Sequence, residues 1–215
     1  METLLDDLLA YSKAGQAEQS LADVDCAAVV RSIVETAGFP ETFRIVADAS
    51  LPRFETARTP FEQIMRNLIS NAVKHHDREE GSVLVRAEDR GDYYRFVVED
   101  DGPGIEPRFR ERIFLMFEKL ASRDQVEGSG MGLALVKKLV ERHGGRVAVD
   151  SPMCGRGAVF LVDWPKQMNG VRRRWPDGAG SADKDPSRRG RRDRRYEPRE
   201  ELSGDGCSER DHQCA

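Results

Sequence analysis

Asn67-Leu-Ile-Ser-Asn71-Ala-Val-Lys74 closes a run in which Phe61, Ile64, Met65, Leu68, Ile69, Ala72 and Val73 recur at helical spacing. The spacing predicts a helix that starts at Thr59-Pro60, with Thr59 as cap and Pro60 at its first position, and runs to about His75. Asn67 and Asn71 lie four apart and Lys74 three further on, so two amides and an ammonium share one face. Beyond that helix, Ser82-Val-Leu-Val-Arg-Ala and Tyr93-Tyr-Arg-Phe-Val-Val-Glu read as strands joined by a hairpin around Asp89-Arg-Gly91-Asp92. The second strand runs into Asp100-Asp-Gly102-Pro-Gly104-Ile105, a tight turn that begins with a carboxylate. Gly128-Ser-Gly130-Met-Gly132-Leu133 opens a helix from Met131 to Arg142, which His143-Gly144-Gly145 closes. Arg146-Val-Ala-Val and Ala158-Val-Phe-Leu-Val-Asp are the last strands. Upstream, Ala28, Val29, Ile33 and Val34 predict a helix over Asp25 to Thr36 that Gly38-Phe-Pro stops, followed by a short strand at Phe43-Arg-Ile-Val-Ala. Helices segregated from hairpin-linked strands make the fold class α+β, one helical layer on a mixed sheet.

Each of the three motifs is common alone; their order and spacing are specific. Amides and an ammonium on one helix face can meet a metal and phosphates. A carboxylate at a strand end can accept a hydrogen bond from an amino group, and N–H groups bared by glycines at a helix start can face phosphates. The third motif is neither G-x-x-x-x-G-K-S/T nor G-x-G-x-x-G after a strand, which excludes the P-loop and Rossmann readings. From about Phe61 to Pro165 the residues resemble the catalytic, ATP-binding domain of two-component sensor histidine kinases, in the superfamily that also holds gyrase and MutL ATPases. The resemblance implies a Bergerat-type two-layer α/β sandwich, with ATP and Mg2+ as cofactors.

It also implies roles for particular residues. Asn71 is the Mg2+ ligand, with Asn67 and Lys74 beside it in catalysis. ATP contacts fall to Asn67, Asn71, Lys74, His75, Asp100, Gly102, Gly104, Ile105, Phe117, Leu120, Gly128, Ser129, Gly130, Met131, Gly132 and Leu133. A neutral amide oxygen can ligate Mg2+ beside a triphosphate without adding negative charge. Asp100 is expected exposed at the pocket mouth to receive the adenine amino group, with Ile105 as an apolar wall and Asp101 in solvent. His75 and His76 read as a site wall and a solvated helix end rather than as metal ligands. Arg112-Ile-Phe114-Leu-Met-Phe117-Glu-Lys-Leu120 looks like the phenylalanine box of these kinases, within a lid; the plainer reading of Phe114 and Phe117 is core anchoring. Ala121 to Glu127 should be the mobile part of that lid. Ala158 stands where the family usually offers a hydroxyl to a water-mediated adenine contact. Hydrolytic members of the superfamily carry a Glu where Asn67 stands, and an amide cannot take a proton from water at neutral pH, so kinase chemistry is favoured over ATP hydrolysis.

With 215 residues and 39% hydrophobic content, one real core is available. No run approaches the roughly 20 apolar residues of a membrane span, and Met1-Glu-Thr-Leu-Leu-Asp-Asp lacks the features of a signal peptide, so the chain reads as cytoplasmic. Cys26, Cys154, Cys207 and Cys214 are scattered without zinc-ligand spacing and read as thiols. Leu4, Leu5, Leu8, Leu9 and Tyr11 form one face of a short N-terminal helix, which looks like the end of a kinase dimerisation hairpin. The expected organisation is a hairpin fragment over 1–15, a catalytic ATP-binding domain over 20–165 and an Arg-rich, disordered tail over 166–215. That tail reads as solvated, ahead of a basic patch for nucleic acid or an acidic partner, or of read-through of a GC-rich frame; the net charge of -4 points to no general polyanion binder, and no nucleic-acid partner is expected.

The histidines are His75, His76, His143 and His212, and none sits in a phosphoacceptor-like helix. The reading is therefore a truncated histidine kinase that transfers the γ-phosphoryl of Mg-ATP to a histidine on another chain. Its partners would be the dimerisation and phosphoacceptor hairpin of a sensor kinase and, downstream, a response regulator. The alternatives are a serine kinase of the anti-sigma-factor type and a non-catalytic ATP-dependent binding module.

Overall fold

A computed structural model describes Leu9, Tyr11 and residues 20–118, 129–153 and 156–167, all within the unit that spans 1–180. Most of the N-terminal hairpin fragment, Leu120, the run 121–127, Gly128, Cys154 and the Arg-rich tail beyond Gln167 lie outside the described residues.

The chain runs β1 (Leu21–Asp25), α1 (Cys26–Thr36), β2 (Phe43–Ala47), β3 (Arg53–Ala57), α2 (Arg58–Lys74), β4 (Gly81–Asp89), β5 (Tyr93–Asp100), two 3-10 turns (Pro107–Phe109 and Arg112–Phe114), α3 (Gly132–Arg142), β6 (Arg146–Asp150) and β7 (Val159–Pro165). Five strands make a sheet in the order β2-β4-β5-β7-β6, with β2 parallel to β4 and every other pair antiparallel. β1 and β3 form a separate antiparallel ribbon.

One face of the sheet, built from Val83 and Val85 of β4, Phe96 and Val98 of β5 and Phe160, Val162 and Trp164 of β7, is buried under the helices. These positions alternate in sequence, which is why one face of each strand is apolar. Helix α2 answers with Phe61, Ile64, Met65, Leu68, Ile69 and Ala72, a stripe at the helical period. Phe61 packs edge-on to Phe96 at 4.9 Å, and Trp164 donates its indole N–H to the buried Thr56 hydroxyl at 2.8 Å. The opposite face carries a row of alternating charge across β6, β7, β5 and β4, in which Arg95 makes a two-pronged ion pair with Asp163 at 2.7 and 3.0 Å.

Helix starts depart from the sequence pattern at two places. Asp25 is not the first helical residue of α1 but its cap, the carboxylate accepting the Ala28 N–H at 2.8 Å. Thr59 does not cap α2, which begins at Arg58 after Ala57 and has no side-chain cap; Pro60 is its third helical residue. Strand β3 enters the helix without a loop, and its pairing with β1, ending at Leu21 opposite Ala57, sets the start instead. Proline is tolerated there because the first four helical N–H groups have no partner within the helix. Among the described residues no helix is long and apolar enough to cross a membrane.

Candidate functional site

The sheet and helices bring the three motifs to one end of the layer between them. On α2, Asn67 and Asn71 are half-buried beside the core stripe, while Lys74 and the cap residue His75 are exposed. The Asn67 amide nitrogen donates to the Gln63 carbonyl at 2.7 Å, which turns its oxygen toward the start of α3. A Cβ on Gly132 would stand 2.8 Å from that oxygen, so the first and third motifs touch although 65 positions separate Asn67 from Gly132.

Asp100, at the end of β5, is buried to 9% exposure rather than exposed at a pocket mouth. Its Oδ1 accepts N–H groups from Gly102 at 3.0 Å and Ala158 at 3.2 Å. Burial pushes this carboxyl above the usual carboxylate range, against those two hydrogen bonds. The Ala158 N–H comes from the lead-in to β7, where Gly157 adopts φ +125 and passes so close that a Cβ would lie 1.7 Å from the Asp100 carbonyl oxygen. Gly104, at φ +77, is packed against the Gly157 carbonyl in turn. The lead-in to β7 therefore supports the turn, and position 158 serves it through backbone rather than a hydroxyl. Ile105 is partly buried against the core.

Asp101 is solvated only in part, its side chain 44% exposed. It accepts the Ser82 N–H at 2.7 Å and meets His76 Nε2 at 3.2 Å. Burial raises this carboxyl, but these hydrogen bonds prevail and hold it below the usual range. His76, expected in solvent, is buried, edge-on to Phe43 at 5.3 Å. No local signal marks either residue, because their partners come from β2, β4 and the turn. On the sheet face away from the helices, a cavity of about 440 Å3 is lined by Arg78, Ser82, Leu84, Glu99, Asp100, Asp101 and Arg156. It shares only Asp100 with the expected site.

The opening of α3 is a glycine-rich turn. Gly130 adopts φ +73 and accepts the Phe117 N–H at 3.0 Å, and the Ser129 hydroxyl accepts the Met131 N–H at 3.2 Å. Met131 is buried and Leu133 half-buried. The phenylalanines divide: Phe114 is buried in the core, whereas Phe117, 57% exposed and at φ +63, is no part of the core formed by the described residues. A backbone hydrogen bond ties Phe117 to Gly130. Leu120 and Gly128 lie outside the described residues.

Among the described residues no group of three or more His, Cys, Asp or Glu side chains could hold a metal. A divalent ion at this site would draw on an amide oxygen, phosphate oxygens and water, a donor set that suits Mg2+.

Residues 56–168 match the family model described as histidine kinase-, DNA gyrase B- and HSP90-like ATPase. Over 170 residues the chain is 38% identical to cyanobacterial phytochrome A of Nostoc sp., covering 77% of this chain and 22% of that protein. Among solved structures, full-length ShkA in complex with AMPPNP superposes with a TM-score of 0.62 at 31% identity, covering 79% of this chain and 37% of that one. The mycobacterial sensor histidine kinase MprB superposes at 0.59 with 26% identity, covering 67% of this chain and 97% of that one. The chain thus spans about a fifth of the length of the phytochrome that it matches.

Proposed function

Because the chain belongs to the histidine kinase-, DNA gyrase B- and HSP90-like ATPase family, as a histidine kinase catalytic domain, we propose that it binds Mg-ATP between α2, the Asp100 turn and the start of α3, and transfers the γ-phosphoryl to a histidine outside these 215 residues. The observation that carries this reading is the convergence of the Asn67 amide on Gly132 and of the Asp100 carboxylate on the Gly102 and Ala158 N–H groups. Both of those hydrogen bonds fall on Oδ1, which leaves Oδ2 as the acceptor for the amino group of adenine.

Asn71 would hold Mg2+, which when bound neutralises phosphate charge. Lys74, exposed one turn on, meets the phosphates, and the first N–H groups of α3 add the positive end of a helix dipole. In the transfer, an imidazole nitrogen forms a bond to the γ-phosphorus as the bond to the bridging oxygen breaks, and ADP leaves. Asn67 offers no base for water, so ATP persists until that nucleophile arrives. The catalytic domain takes residues 20–165, and its partners are a phosphoacceptor hairpin and, beyond it, a response regulator. The likeness of the N-terminal residues to a kinase hairpin favours this over the serine-kinase reading, and of those residues Tyr11 meets α3: Lys138 donates to its carbonyl at 2.6 Å and lies 3.8 Å from its ring centroid.

Titration with a fluorescent ATP analogue tests the site. Asn71→Ala should abolish the gain in affinity that Mg2+ gives, and Asp100→Ala should weaken binding with or without the metal. Unchanged affinity in both variants would sink the assignment.

A further inference from the structure

His76 stands two residues beyond Lys74, yet its side chain is 1% exposed. A carboxylate oxygen only accepts, so Nε2 carries a proton and donates it to Asp101 Oδ1 at 3.2 Å, while Nδ1 takes the Arg78 N–H at 3.1 Å, with the Arg78 carbonyl at 3.3 Å. The ring occupies a slot that exists because residues 81 and 102 are glycines. A Cβ on Gly81 would come within 2.8 Å of Nε2, and one on Gly102 within 3.3 Å of Cδ2. Phe43 closes the slot edge-on, and the same Asp101 oxygen also accepts the Ser82 N–H at 2.7 Å. The exit of α2, the start of β4 and the turn after β5 thus meet on one imidazole.

We propose that His76 is a positioning residue for the nucleotide base: it fixes Asp101, and with it the turn that begins at Asp100, relative to the helix that carries Asn71. The base contact and the phosphate contacts sit on different elements, and His76 is the side chain that ties those elements together. This rests on the reading of the site as one for ATP. The residue touches neither base nor phosphate; it acts through the carboxylate beside the one that does.

The test compares ATP with inorganic tripolyphosphate, each with Mg2+, as competitors of a fluorescent ATP analogue on the 215-residue chain. His76→Phe keeps the ring and its contact with Phe43 but removes the donor. It should weaken ATP on the order of tenfold, the worth of a hydrogen bond to a charged group, and leave tripolyphosphate within about twofold of wild type. His76→Gln, which restores an N–H toward Asp101, should recover most of the loss. Asp101→Ala approaches the same link from its partner and should reproduce the selective loss, with no further loss in the double variant. Wild-type ATP affinity in His76→Phe, or parallel loss of ATP and tripolyphosphate in both single variants, would overturn the proposal. A wild-type chain that binds neither ligand would overturn the ATP reading beneath it.

Discussion

Gly157→Ala is the most demanding single change that this site suggests. The residue adopts φ +125, where an L side chain is strained, and the new Cβ would lie 1.7 Å from the Asp100 carbonyl oxygen, 2.7 Å from its carbon and 3.1 Å from the Asp101 Cα. All three are backbone atoms, so no rotamer relieves the clash, and the two segments must part by roughly 1 Å or more to reach ordinary contact. Parting them breaks the Asp100 N–H bond to the Ala158 carbonyl, 3.0 Å, and the Ala158 N–H bond to Asp100 Oδ1, 3.2 Å. Backbone strain of about 1–3 kcal/mol together with two hydrogen bonds of about 1 kcal/mol each gives a loss on the order of 3–5 kcal/mol. For a domain of this size that is a fall in Tm on the order of 10 °C. Circular dichroism melting measures it, and nucleotide titration well below the lowered Tm should show ATP affinity reduced as well, since Asp100 is displaced. A Tm within about 2 °C of wild type, less than 1 kcal/mol on this scale, together with unchanged affinity would refute the reasoning, because the β7 lead-in could then not be what holds the turn.

Two further outcomes follow from the site and the core. Phosphate release from ATP by the wild-type chain should stay near background for want of a base at Asn67, and Asn67→Glu should raise it; a steady wild-type rate that Asn71→Ala abolishes would place the protein among ATP hydrolases. His143, stacked on Trp164 at 4.9 Å, is held below its ordinary value of 6.5, chiefly by burial. The unfolded chain therefore takes up a proton that the folded chain refuses, and stability should fall as pH drops through about 6.5. Urea midpoints at pH 7.5 and 5.5 measure this, and the difference should shrink in His143→Phe, which keeps a ring against Trp164.

The parts of the fold that were legible in the sequence are those whose cause is local. The stripe from Phe61 to Ala72, the hairpin turning at Gly91 with φ +78 and the helix closed at Gly144 with φ +74 each follow from spacing or from a backbone only glycine adopts easily. The ribbon of β1 and β3 was not legible, because most of its residues are partly or fully exposed and no alternation of burial marks it. In the site, the amide face of α2 follows from the helical period alone. The burial of Asp100 does not, since the N–H that covers it arrives from Ala158, 58 residues away. His76 is the extreme case: flanked by an exposed histidine and Asp77, it reads as solvent-facing until Phe43 and Gly81 are seen to wall it in.

Phosphotransfer itself is measured most directly with γ-labelled ATP, supplied with Mg2+ to the 215-residue chain alone and to the chain mixed with a purified dimerisation hairpin from a related kinase. The chain alone should remain unlabelled. His75 and His76 lie at the end of the helix that carries Asn71 and cannot come in line with the γ-phosphate, while His143 is stacked on Trp164. The hairpin should acquire label slowly, lacking the roughly millimolar effective concentration that a tether supplies, and that label should be lost in acid and absent with Asn71→Ala. An acid-stable label on a serine, or an acid-labile label on the chain alone that disappears when His75 and His76 are replaced, would contradict transfer to an outside histidine.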